Sequence, residues 1–377
     1  MPFRRLLLAC ALIAAPACAD TLRVGPNGPI KHIRDAARIA RDGDIIDIAP
    51  GIYRGDVAVW TQRHLRIRGL GPGVVLEAAG RSAEGKAIWV VRGGTIVIEN
   101  IEFRGARVPD GNGAGIRFER GDLRIRRCRF LDNENGILTG NTPTARLRVE
   151  DSVFGQAPHH PGSLHHLLYV GQIGRFELSG SHLSNGFNAH LVKSRARESL
   201  ITDNLIDDGP TGRASYELEF PNSGRATVTG NIIGQSAHTT NRILLRYGAE
   251  GAIWPVNRLT VVHNTLISRN GLGPAVHVDA PPDARPQVRI EANLFVGSQR
   301  LELGPDAIVR DNAFVPQNAF DDGRPAATAY WLDAPVLEPA ADSLRPEHQL
   351  TPPIGTHPLP PGTPHRAGAL QHPPPWP

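Results

Sequence analysis

The stretch ATVTGNII, Ala226 to Ile233, decides how the chain is read, because its plan returns at LTVVHNTLI, Leu259 to Ile267, and at VRIEANLF, Val288 to Phe295. Each copy is a short β-patterned run closed by one polar residue, one free position and one apolar residue. Working outward, the same ending recurs at Cys128-Arg-Phe130, Ser152-Val-Phe154, Ser181-His-Leu183, Asn204-Leu-Ile206 and Asn312-Ala-Phe314, about once every 26 residues. Gly, Asp and Asn clusters follow most copies and mark turns.

A repeat of this size cannot bury its own apolar face and must stack on its neighbours to build a continuous core. Repeats made only of short strands and turns predict an all-β fold, a single-stranded right-handed parallel β-helix over residues 20–333. Asn204, Asn231, Asn264, Asn293 and Asn312 fall at one place in successive coils. Inward amides there would bond to one another and to the backbone of the bend, as a structural ladder that fixes register.

Residues 1–19 read as an export signal: Arg4 and Arg5, an apolar run from Leu6 to Ala15, then Ala17-Cys-Ala19 as a cleavage site. Cys10 and Cys18 lie inside it, so a mature chain keeps Cys128 alone and forms no internal disulfide. The expectation is a secreted or periplasmic protein without membrane insertion, since no other stretch approaches the roughly 20 apolar residues of a span. Net charge is +4, too mild to imply nucleic acid. Of 41 basic residues only Lys31, Lys86 and Lys193 are lysines, a bias that codon usage or environment would equally produce.

Residues 29–44 pattern as a short amphipathic helix with Ile30, Ile33, Ala37 and Ile39 toward one side, ending near Gly43. Such a helix would cover the open edge of the first coil. Helix, Gly-Asp, apolar strand and Pro50-Gly-Ile-Tyr53 together resemble the N-terminal part of the pectate-lyase-like superfamily of β-helix proteins. From residue 334 the chain is proline-rich, with thirteen of its 33 prolines in the last 44 residues. This segment is expected to cross the solenoid surface or fray, and Gly368-Ala-Leu-Gln371 to dock.

Residues 159 to 250 concentrate the histidines and the unusual charge. Counted back from the ladder, Tyr169, Lys193 and Glu219 precede their ladder residues by 12, 11 and 12 positions, which stacks them on one face, with Arg246 to follow. Strand alternation puts Lys193 with Arg195, and Glu217 with Glu219, on shared faces. Arg195 and Arg197 beside Lys193 would favour its neutral form and suit it as a general base; pairing with Glu219 is the structural alternative. Two carboxylates at Glu217 and Glu219 could bind a hard cation such as Ca²⁺ or work as acid and base. His165 and His166 sit near a Pro-Gly turn and could line a cleft, while zinc lacks a third ligand at suitable spacing.

Lys193-Ser194, Arg246-Tyr247-Gly248 and Glu217-Leu-Glu219 are similar to motifs of the β-helix lyases acting on alginate and dermatan-type chains. Those carry Lys-Ser for the base, Arg-His-Gly for the substrate carboxylate and paired glutamates near Ca²⁺; here tyrosine replaces the histidine. The resemblance implies β-elimination on an acidic polysaccharide, and a capped solenoid can stand alone as a monomer. Lys193, Arg195, Arg246, Tyr169 and His190 would be catalytic, and His165, His166, Arg197, Tyr247, Glu250 and Trp254 would bind substrate. Glu217 and Glu219 would hold Ca²⁺ if it is used, no cofactor being required. A glycoside hydrolase or C5-epimerase on the same fold, and a non-catalytic polysaccharide-binding β-helix, are the alternatives.

Overall fold

The computed structural model describes residues 19–160, 164–279, 285–298, 300–320, 334, 336–338 and 344–373. The expected export signal lies outside them, apart from Ala19. The chain winds as a parallel β-solenoid whose coils each give one short strand to three sheets of 12, 10 and 11 strands. Every pairing within these sheets is parallel and links a strand to its equivalent one coil away, as Thr227, Thr260 and Arg289 in the first sheet illustrate.

The repeated ending has a plain geometric cause. The residue just before each ladder position adopts the left-handed region: Arg127, Asp151, Asp203, His263, Ala292 and Asp311 have φ between 49° and 56°, and Gly180 and Gly230 take the same place. One left-handed residue turns the chain from the first sheet to the third and aims the ladder side chain inward. The amides then bond coil to coil, from Asn204 Nδ2 to Asn231 Oδ1 at 2.9 Å and onward to Asn264, Asn293 and Asn312 at 2.9, 3.1 and 3.0 Å. In the earlier coils Ser181 and Ser152 take the position and accept the backbone N–H of the coil before.

Inside, apolar residues stack along the axis. Trp60, Trp89, Phe103, Phe130 and Phe154 form a file with ring centroids 4.7–5.2 Å apart. Outside, the first sheet carries arginine and carboxylate columns in register, for example Arg68, Glu99, Arg126 and Glu150.

The N-terminal helix is shorter than its pattern predicts, spanning Ile33–Ile39. Ile33 and Ala37 are buried, but Ile39 is 55% exposed, because the helix ends there and its last residue has no core beneath it. The first coil caps both ends. Asp56 accepts the N–H groups of Ile33 and Arg34 at 2.7 and 3.0 Å, and Gln62 Nε2 donates to the carbonyls of Ala37 and Ala40.

Where it is described, the proline-rich segment docks. Leu350, Ala369 and Leu370 pack on Leu205, Ile232, Ile267, Leu294 and Val296 of the third sheet. Gly368 N–H donates to Ala292 O at 2.9 Å. No helix among the described residues is long and apolar enough to cross a membrane.

Candidate functional site

The strands of the second sheet are three to five residues long, apart from a two-residue last strand, and in the site coils the middle residue faces out. Leu168 and Val170 point into the core around Tyr169, as do Val192 and Ser194 around Lys193. The pairing places these outward residues in one file: Val90, Arg117, Leu138, Tyr169, Lys193, Glu219, Arg246, His277, Glu302. Adjacent members are about 4.8 Å apart along the axis. From Tyr169 onward every member is a polar or ionisable group.

Around that file the contacts are specific. Lys193 Nζ lies 2.9 Å from Glu219 and 3.2 Å from Glu250. Arg195, two residues on, donates through both Nε and Nη2 to the Glu250 carboxylate and through Nη1 to Tyr169 Oη at 2.6 Å. Arg246 repeats the arrangement two coils further, donating to Asp279 at 2.9 Å and to Tyr216 Oη at 2.7 Å. His277 bridges Glu302 at 2.6 Å and Asp279 at 3.3 Å.

Glu250 reaches this point because the chain reverses after Tyr247. Gly248 has φ +90°, and a Cβ there would sit 2.4 Å from Asp279 O, so the turn requires glycine. Glu250 N–H then donates to Pro221 O at 2.8 Å, which pins the loop over the preceding coil, and Trp254 Nε1 donates to Arg195 O at 3.1 Å.

Behind Lys193 a second file runs His166, His190, Tyr216, with ring centroids 4.8 Å apart. His190 N–H donates to His166 Nδ1, and His190 Nε2 lies 2.9 Å from Glu219. Burial holds His166 well below the ordinary histidine range, helped by the charges of His190, Lys193 and Arg195. Burial also pulls His190 down, against the Glu219 hydrogen bond. Burial raises Glu219, but hydrogen bonds and charge from His190 and Lys193 outweigh it and bring the carboxyl to about 2. The cluster thus holds an ionised Glu219 carboxylate at neutral pH against the His190 imidazole and Lys193 Nζ.

The structure brings together Tyr169, His166, His190, Lys193, Arg195, Glu219, Glu250 and Trp254, with Arg246 one coil beyond Glu219. It does not bring in four others. Glu217 is fully buried and does not share a face with Glu219. At this corner two consecutive residues turn inward, as Leu167-Leu168, Leu191-Val192 and Leu244-Leu245 do, and Glu217 stands in a leucine's place. The two-glutamate seat that the resemblance implied for Ca²⁺ is therefore not assembled. Among the described residues no group of three or more His, Cys, Asp or Glu is placed to hold a metal ion.

Tyr247 is inward too, fully buried with Oη on Gly224 O at 2.6 Å, as the residue flanking an outward arginine must be. His165 is 1% exposed, and neither ring nitrogen has a hydrogen-bond partner. Arg197 lies round the corner, at the start of the first sheet, because the chain turns at Ala196.

Tyr216, Asp279, His277 and Glu302 join the site without having been singled out from sequence. Two had a signal: Tyr216 precedes Glu219 by three, as His190 precedes Lys193 and His166 precedes Tyr169, and Asp279 follows His277 by two as Arg195 follows Lys193. No protein-family model, curated protein or solved structure matches the chain.

Proposed function

We propose that this protein is a carbohydrate-active solenoid enzyme that cleaves uronate-containing polysaccharides by β-elimination on the outer face of the second sheet. The observation that carries the reading is the seat of the Glu250 carboxylate, held by the fork of Arg195 and by Lys193 Nζ. Glu250 is on a loop and its side chain is 42% exposed, whereas the cations it meets are only 12–14% exposed. A substrate carboxylate taking that seat would have its charge neutralised next to a lysine and a tyrosine. The fold supports this class, since β-solenoids present long faces to linear chains.

Neutralising the uronate carboxylate acidifies the C5 proton, and Lys193 in its amine form accepts it. The C5–H electron pair becomes the C4–C5 double bond, the C4–O bond breaks, and the leaving oxygen takes the proton of Tyr169 Oη–H. That proton is free to donate because Arg195 already supplies the hydrogen bond to the phenol oxygen. A retained double bond distinguishes this from hydrolysis, and hydrolysis by Glu217 with Glu219 is not favoured, because Glu217 lies inside the coil.

The test is ultraviolet absorbance of unsaturated product from a panel of uronic-acid polysaccharides, beside a Lys193→Ala protein shown by its circular dichroism to be folded. Product from the wild type and at least about a hundredfold less from the variant is expected for loss of a general base. Undiminished product from Lys193→Ala overturns the assignment, and no product on any substrate favours a binding protein.

A further inference from the structure

Round the corner from Lys193, the coils leave a groove of about 480 Å³ along the edge of the first sheet. Arg124, Arg146, Arg148, Arg175 and Arg197 line it, four of them on strands and Arg197 at the turn. The groove crosses four consecutive coils, about 14 Å at the spacing of parallel strands. Its floor includes Gly174, where a Cβ would fall 2.5 Å from Pro143 O, so the chains meet there too closely for a side chain.

The charges in the groove do not cancel. Asp122, Glu177 and Glu198 are the carboxylates lining it, against five guanidinium groups. Arg148 and Arg175 share Glu177, Arg175 also holds Glu198 at 2.8 Å, and Arg124 turns to Glu150 at 2.6 Å. Arg146 and Arg197 have no ion pair among the described residues, and both are exposed. Arg197 is nonetheless fixed at its backbone, with N–H to Ile173 O and O to Arg225 N–H, each at 2.9 Å.

We infer that this groove is a second saccharide-binding site, which takes the anionic groups of an acidic oligosaccharide on Arg146 and Arg197. The guanidinium fork matches a carboxylate or a sulfate through two parallel hydrogen bonds. The volume is that of a small-ligand cleft, and its length is that of a few sugar units. No aromatic ring lines the groove, so it lacks the aromatic platform on which single-stranded nucleic-acid bases stack. Arg195 and Arg197 flank Ala196 at one turn, Arg195 reaching Tyr169 and Glu250 and Arg197 lining the groove, while Trp254 packs against the Arg195 carbonyl and Gly224.

The class of sugar rests on the function proposed above; the site itself rests on the groove. The experiment is calorimetric titration of the Lys193→Ala protein, in which no turnover consumes the probe. Probes are a galacturonate tetrasaccharide, a sulfated tetrasaccharide, a neutral glucose tetrasaccharide and a single-stranded oligonucleotide of equal charge. Arg146→Gln/Arg197→Gln should keep its melting temperature, because both side chains are exposed and unpaired, and should weaken the anionic sugars by about tenfold or more.

Binding of one anionic sugar over the other identifies the group recognised and supports the site. Unchanged affinity in the double variant, equal binding of the neutral sugar, or oligonucleotide bound as tightly as sugar overturns it. Arginine-dependent binding without unsaturated product from wild type would sink the elimination reading and leave the groove standing. Cleavage by wild type with no effect of the double variant on binding would do the reverse.

Discussion

At position 217 a carboxyl group occupies a site where the neighbouring coils carry Leu167, Leu191 and Leu244. Neither of its oxygens has a hydrogen-bond partner, and burial, with Asp208 nearby, pushes it well above the ordinary glutamate range. The folded state therefore binds a proton there that the unfolded chain has released at neutral pH, and stability falls as pH rises above the unfolded value. Glu217→Leu should stabilise the protein on the order of 2 kcal/mol at pH 7 by removing a buried unpaired polar group. The gain in melting temperature should shrink toward pH 4. A destabilised Glu217→Leu protein would show that the carboxyl has a use inside the coil.

At the scale of the element, the ladder residue does the work of a bend that no local turn motif completes. Asn264 Nδ2 donates to Val228 O, Val262 O and Asn293 Oδ1, and its Oδ1 accepts both the backbone and side-chain N–H of Asn231. Removing it takes the partner from backbone groups of two coils at once, Val228 O and Asn231 N–H on one and Val262 O on its own. Asn264→Ala should cost about 3 kcal/mol, each buried group left unpaired costing roughly 1–3. Asn312→Ala should cost less, since that position is only half-buried at the end of the file. Chemical denaturation of the two variants checks the ordering. Equal costs would mean that neighbouring coils do not share the amide network.

For the whole molecule two sets of carboxyls pull stability in opposite directions with pH. Burial raises Asp203 to about 7, and it raises Asp208 to about 6 against hydrogen bonds from the Ala214 and Gly186 N–H groups. Stability from their protonated forms is present below the unfolded aspartate value of 3.8 and is lost as pH rises through about 6 to 7. Glu219, held at about 2, contributes above the unfolded glutamate value of 4.5 and loses that contribution as pH falls toward 2. Paired Glu177 and Glu119 are lowered as well, their cation partners outweighing burial. Thermal unfolding across pH should therefore peak at about pH 5 and decline on both sides. A flat profile from pH 5 to 8 would show that Asp203 and Asp208 are ionised in the fold.

How the chain folds into coils, and which residues stack between coils, was legible in the sequence because both follow from a period. Asn204 to Asn312 recur at one place, and strands 4.8 Å apart turn recurrence into contact. Tyr169, Lys193, Glu219 and Arg246 were legible as one face for the same reason. Directions at the corners were not. Strand alternation puts Glu217 beside Glu219, but two inward residues in succession send it to the core; the flanking Leu-Leu and Leu-Val pairs were the trace of that bend. Arg197 leaves the site because the chain turns at Ala196, and Glu250 enters it from 57 residues away through a reversal at Gly248. The sequence by itself determined the solenoid, its register and the file of groups along one sheet, since these need only the repeat. The tertiary structure decided which charged groups share that face, because corners and loops are set by packing between coils and not by the spacing within one.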